Sequence, residues 1–199
     1  MMADMHQQRL LDNSYWSYCE TGELDNNNPI EIDSIPQLRY HTQKFLSEGP
    51  YFSDNLTQSE RNNHASTESK YHVNSYCNIV METHFDVDQS GGVFLTEKTF
   101  KPIKHGQMFF VAGAAGSLQA LRDLGYRTFD SVLDNSYDRI ADSTQRWKQL
   151  CSAIAQCRHR LADRFEAARA DIEHNQQLFV QLKTQRLNNL IRDINEQYH

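Results

Sequence analysis

The chain has 199 residues, with 20 Lys and Arg against 26 Asp and Glu and a net charge of −6. That length supports one domain, or one and a fraction. The acidic balance, with a pI near 5.8, excludes a nucleic-acid binder held on by bulk positive charge. Mean hydropathy is −0.72, and Asn and Gln together make up about 15% of the chain, so much of its polarity is uncharged. Aromatic residues at 11% still supply a modest core and exclude a wholly disordered chain. No apolar run reaches the roughly 18 residues that a membrane-spanning helix needs. Met1 to Arg9 lacks the basic start and apolar stretch of a secretion signal. Cys19, Cys77, Cys151 and Cys157 have no framework spacing, which fits free thiols in a reducing cytoplasm.

In chain order, residues 1–74 form a polar, turn-rich, partial N-terminal region, with loop-like clusters such as Asp25-Asn26-Asn27-Asn28-Pro29. Its one candidate helix runs from Ile35 to Leu46, with Pro36 early in it. Residues 75–138 differ in kind. Cys77 to Glu82 reads as a buried strand and Val93-Phe94-Leu95 as a second, very short one. Thr96 to Gly106 predicts a helix with Thr96 as N-cap and Gly106 as the stop. Met108 to Ala112 is a third, fully buried strand, followed by a helix over Ser117–Leu124 that Gly125 ends. Tyr126 to Phe129 is a fourth strand. Strands alternating with single helices predict a parallel sheet in an α/β half-domain. Residues 139–199 contain no Gly or Pro and show helical spacing. They predict two or three amphipathic helices packing on the core, with breaks near Gln156–Arg160 and His174-Asn175. Trp16 and Trp147 are expected in the core.

The residues with most chemistry cluster around Glu82-Thr83-His84 and Thr96-Glu97-Lys98-Thr99-Phe100-Lys101. If Glu82 closes a strand and Thr96 opens the next helix, both lie at the carboxyl edge of the sheet, where open α/β sheets bind ligands. The helix start offers backbone N–H groups to an anion. Lys98 or Lys101 adds a charge suited to a diphosphate, and Glu97 can accept two hydroxyl hydrogen bonds from a ribose. Spacing alone favours the plainer reading, in which Glu97 and Lys98 are capping and solvated first-turn charges.

Three other patterns carry less. Asp86-Val87-Asp88 is a D-x-D of the kind that holds a divalent metal, in a sequence too short to be selective. Gly113-Ala114-Ala115-Gly116-Ser117 is either a phosphate cradle or, on balance, a tight strand-to-helix turn. Cys151, Cys157 and His159 face different ways on a helix, so no metal site is expected.

The ordered set resembles the nucleotide-sugar half of GT-B glycosyltransferases. In particular it resembles the carboxyl-terminal domain of the family 10 (α-1,3-fucosyltransferase) group and its bacterial and phage relatives. The matching stretches are Val80-Met81-Glu82-Thr83, Leu95-Thr96-Glu97-Lys98-Thr99-Phe100 and Gly106 through Gly113. Gly125 to Asp130 and Asn135 to Asp138 resemble features of the less characterised relatives.

The resemblance implies a Rossmann-like parallel-sheet half of a GT-B fold with a helical C-terminal tail. It implies a nucleotide-diphosphate sugar as donor, no metal, no separate cofactor, and transfer to an unidentified glycan or protein acceptor. The donor-binding set is then Glu82, Thr83, Thr96, Glu97, Lys98, Thr99, Lys101 and Gly113. Glu97 meets the ribose, Lys98 the diphosphate, and Glu82 lies near the donor sugar. Thr83-His84 stands where the fucosyltransferases carry Asn-Ser, and no residue is singled out as catalytic base. The alternative is a non-catalytic pseudo-glycosyltransferase that works as a binding or structural module. Its C-terminal helices would then pack in a homo-oligomer or larger assembly.

Overall fold

The computed structural model describes residues 1–16, 44–45, 47–48, 69–86 and 92–197. The chain divides into two compact units, Met1–Ser66 and Thr67–His199. Most of the expected Ile35–Leu46 helix lies outside the described residues.

In the first unit α1 covers Met2–Gln7. Met5, Leu10, Leu11 and Phe45 are buried there. The rings of His6, Trp16 and Phe45 pack mutually at centroid distances of 5.5–6.2 Å. Trp16 is only half-buried, as is Trp147 in the second unit, so both indoles sit at the margin of a core rather than inside one.

The second unit is mixed α/β and mostly helical. It runs α2 (Ser69–Val73), β1 (Cys77–Met81), α3 (Glu97–Lys104), β2 (Met108–Ala112) and α4 (Ser117–Asp123). A short 3₁₀ turn at Ser136–Arg139 follows, then α5 (Ser143–Arg158), α6 (Leu161–Ala167) and α7 (Arg169–Gln197). This unit starts at Thr67, ahead of the expected Ser75, and takes in both the α/β segment and the C-terminal helices.

The strands pair in parallel, Cys77 opposite Met108 through Met81 opposite Ala112. Every side chain of Met108–Ala112 is at most 1% exposed. A fully apolar run has that fate because helices cover both faces of a parallel strand, and each large side chain so buried contributes about 2 kcal/mol. α3 packs on both strands, α5 on β2, and α7 on α3. Thr96 caps α3, its hydroxyl accepting from the Lys98 N–H at 3.3 Å. Gly106 ends α3 at φ +69° and Gly125 ends α4 at φ +91°, a region that a side chain disfavours. Pro102 sits in the last turns of α3 and the helix stops two residues later.

Among the described residues the sheet has two strands, which corrects two expectations. Val93–Leu95 has no regular structure and pairs with neither strand. Tyr126–Phe129 is no strand either. Its backbone partner is a side chain: the Arg127 N–H donates to Asn175 Oδ1 and the Asn175 amide donates to the Arg127 carbonyl, both at 2.8 Å. Phe129 then turns to φ +63°, which no strand residue adopts. On the far edge of β2 the Val111 N–H donates to the Tyr137 hydroxyl at 3.0 Å, where another strand would pair. α7 also runs unbroken through His174-Asn175. Asn175 is 1% exposed and bonded through both its side-chain oxygen and nitrogen, so its polarity marks a contact rather than a helix end. The expected break near Gln156–Arg160 is present, at His159-Arg160 between α5 and α6.

Candidate functional site

Glu82 follows β1 directly and extends the ladder, its N–H donating to the Ala112 carbonyl at 3.0 Å. It is 8% exposed, and a buried carboxylate needs donors. The following helix supplies them. Oε1 accepts from the Thr96 N–H (3.0 Å) and the Thr99 hydroxyl (2.6 Å), and Oε2 accepts from the Thr96 hydroxyl (2.6 Å). Five of the eight expected residues therefore share one corner. Glu82, Thr96 and Thr99 form a clamp that fixes the start of α3 to the end of β1. Thr83 and Lys98 join above it, where the Lys98 ammonium donates to the Thr83 hydroxyl at 2.9 Å on the exposed side. Among the described residues no carboxylate pairs with Lys98.

Glu97 opens α3 between Thr96 and Lys98, half-buried, and Lys101 lies one turn on. Gly113 follows β2 and lies beside Glu82 across the ladder. A Cβ at Gly113 would come within 2.7 Å of Ser117 Oγ, so the glycine permits the close turn into α4. The Gly113–Ser117 turn is not an open cradle. The N–H of Gly116 donates to the Asp138 carbonyl, that of Ser117 to the Ala114 carbonyl, and those of Leu118 and Gln119 to the Asp138 carboxylate at 2.9 and 3.1 Å. The turn takes its anion from the chain itself.

The aromatic side chains of His84 and Phe94 meet edge-on, with centroids 5.8 Å apart, and Phe94 is 57% exposed. Asp86 is not set up as a metal ligand. It accepts from Ser143 Oγ and, at 3.2 Å, from Arg146 Nη2. Asp88 lies outside the described residues. No group of three or more His, Cys, Asp or Glu that could hold a metal occurs among the described residues. Cys77, Cys151 and Cys157 are free thiols, and burial, with Cys157 nearby, pushes the Cys77 thiol far up. Two polar residues at this edge were given no role by the sequence reading. Asp138 and Arg146 are each 2% exposed. Asp138 entered only within the resembling stretch Asn135–Asp138 and Arg146 not at all, because charged residues are ordinarily read as solvated.

Compared with protein-family models, curated proteins and solved structures, the chain matches none. Among the described residues, no helix is long and apolar enough to cross a membrane.

Proposed function

We propose that the second unit is a Rossmann-like donor-binding half of a glycosyltransferase. In this reading the carboxyl edge of β1 and β2 binds a nucleotide-diphosphate sugar, whose sugar is passed to a glycan or protein acceptor. The observation that carries the reading is Lys98. It stands at the mouth of a β–α–β unit with its ammonium held by one neutral hydroxyl and no carboxylate partner among the described residues. A lysine so placed answers a diphosphate as a point charge and favours its departure by stabilising the charge that develops.

The division of labour follows from the bonds. Glu82, Thr96 and Thr99 build the corner, Thr83 steadies Lys98, and Glu97 and Lys101 flank the entrance for ribose and phosphate. Backbone amides contribute little, because those of Thr96, Lys98 and Thr99 already have partners in the clamp. Calorimetric titration with GDP, UDP and their sugar conjugates tests the reading, with and without Mg²⁺. Metal-independent binding is expected, weakened about tenfold or more in Lys98→Ala with the melting temperature unchanged. A wild-type chain that binds none of these ligands would sink it.

A second reading is favoured by the same saturated amides. Both helix starts at this edge are capped by carboxylates of the chain, Glu82 at α3 and Asp138 at α4. That arrangement suits a module that keeps the sheet and has given up the transfer. It predicts a defined oligomer in sedimentation together with silent titrations.

A further inference from the structure

Among the described residues Arg146 is the bulkiest fully buried side chain, and it carries a charge. A guanidinium is costly to bury unless its donors are used. Here two nitrogens serve four acceptors on two stretches of chain, and only Nε is left without a partner among the described residues. Nη1 donates to the carbonyls of Ile140 (2.8 Å) and Ala141 (2.9 Å). Nη2 donates to the Phe85 carbonyl (2.5 Å) and to Asp86 Oδ1 (3.2 Å). The guanidinium carbon lies 4.5 Å from the centre of the Phe85 ring, which in turn stands edge-on to Trp147 at 6.0 Å. Ser143, one turn earlier on α5, adds its hydroxyl to the Asp86 carboxylate. α5 thus grips the chain three residues past Glu82 and two past Thr83, the residue that holds Lys98.

We propose that Arg146 is a positioning residue for the donor site. It fixes the Thr83–Asp86 loop from behind, so that the Thr83 hydroxyl meets the Lys98 ammonium and sets it for a diphosphate. The link to a diphosphate rests on the function proposed above, whereas the bracing of the loop stands on its own bonds. Lysine is no substitute, because one ammonium has three donors and no planar fork to span Phe85, Asp86, Ile140 and Ala141 together. The loop it braces has lost regular pairing. β1 ends at Met81, and only the Glu82 N–H continues the ladder.

The test uses the whole chain with Arg146→Met, Arg146→Lys and Lys98→Ala, read by backbone 15N relaxation and by calorimetric titration with GDP and UDP. In Arg146→Met, order parameters over 83–86 are expected to fall from the rigid range, about 0.85, to below about 0.6, with 117–123 unchanged. Nucleoside-diphosphate affinity falls about tenfold, and Arg146→Lys lies between. Lys98→Ala loses affinity while 83–86 keeps the wild-type order parameters, a separation that general loosening of the fold would not produce. Unchanged order parameters over 83–86 in Arg146→Met overturn the brace. A loosened loop with unchanged affinity overturns its link to the site. If the wild type binds neither nucleotide, the proposed function falls, and the relaxation data still decide the brace. If Arg146→Met fails to fold, Arg146→Lys is judged by the same two readouts.

Discussion

The two ends of the β1–β2 pair are held by different chemistry. At the carboxyl end, Glu82 ties into the start of α3 and Asp138 into the start of α4, each carboxylate meeting amides and hydroxyls that a helix start leaves unpaired. At the amino end the bonds are neutral. The Gln107 amide donates to the Ser75 carbonyl (3.1 Å) and hydroxyl (2.6 Å), and its oxygen faces His72 Nδ1 at 2.5 Å. Charge-assisted bonds are the stronger kind, so the carboxyl end is expected to be the stiffer of the two. The amino end also holds His105, whose imidazole is kept below its ordinary value chiefly by burial.

Removing a cap should show the contrast most sharply. Asp138→Ala strands the buried Leu118 amide and the partly buried Gln119 amide at once, and also takes the carboxylate from Arg122 Nη2, 3.7 Å away. The expected loss is about 3 kcal/mol, measured by urea unfolding. A loss under about 1 kcal/mol would mean that the α4 start finds other partners. Glu82→Gln keeps the shape and exchanges one acceptor oxygen for an amide that faces a donor. About 2 kcal/mol is expected from the loss of charge-assisted bonds. A neutral result would show that the clamp contributes little to stability.

How far the sequence reveals this depends on where each residue finds its partner. β1, β2, α3 and α4 were legible because their signals are local: apolar runs, Thr96 as cap, and Gly106 and Gly125 as stops. Tyr126–Phe129 was misread because its backbone bonds to an asparagine some 48 positions later. The same asparagine was misread as a break in α7, so one long-range contact accounts for both errors. The corner of the candidate site was legible as a place where Glu82, Thr96 and Lys98 come together, since their spacing crosses a single loop. Its supports were not. Asp138 reaches back 20 residues to α4, and Arg146 reaches back about 60 to the β1 exit. No periodicity encodes such distances.

Packing at the carboxyl end gives a smaller effect. In Gly113→Ala the new methyl would lie 2.7 Å from Ser117 Oγ, and that hydroxyl is itself held by the Ala114 carbonyl at 2.7 Å. Either the serine bond breaks or the turn shifts, at about 1–2 kcal/mol. Pairing it with Ser117→Ala removes the oxygen that obstructs the methyl. The double variant should then be less destabilised than the sum of the singles, by about 1 kcal/mol. Strict additivity would place the obstruction elsewhere.

The smallest effect belongs to the amino end. Because the Gln107 amide nitrogen is spent on Ser75, its oxygen must accept, and His72 Nδ1 carries the proton between them. The other face of the network is His105, stacked on His72 with centroids 4.5 Å apart and planes 13° from parallel. Burial, then His72, then Lys104 hold the His105 imidazole below its ordinary value of 6.5. Among the described residues, His105 Nε2 is also buried and without a hydrogen-bond partner. A histidine depressed in the fold stays neutral there while the unfolded chain takes up a proton near 6.5, so the unfolded state binds more protons as the pH falls. Stability from this residue is therefore whole above about pH 6.5 and is lost as the pH drops through the depressed value. His105→Phe keeps the stacked ring and removes the proton. Its unfolding free energy should fall less steeply than the wild type's between pH 7 and 5. An unchanged slope in His105→Phe would place the pH sensitivity outside the amino end and remove that half of the contrast.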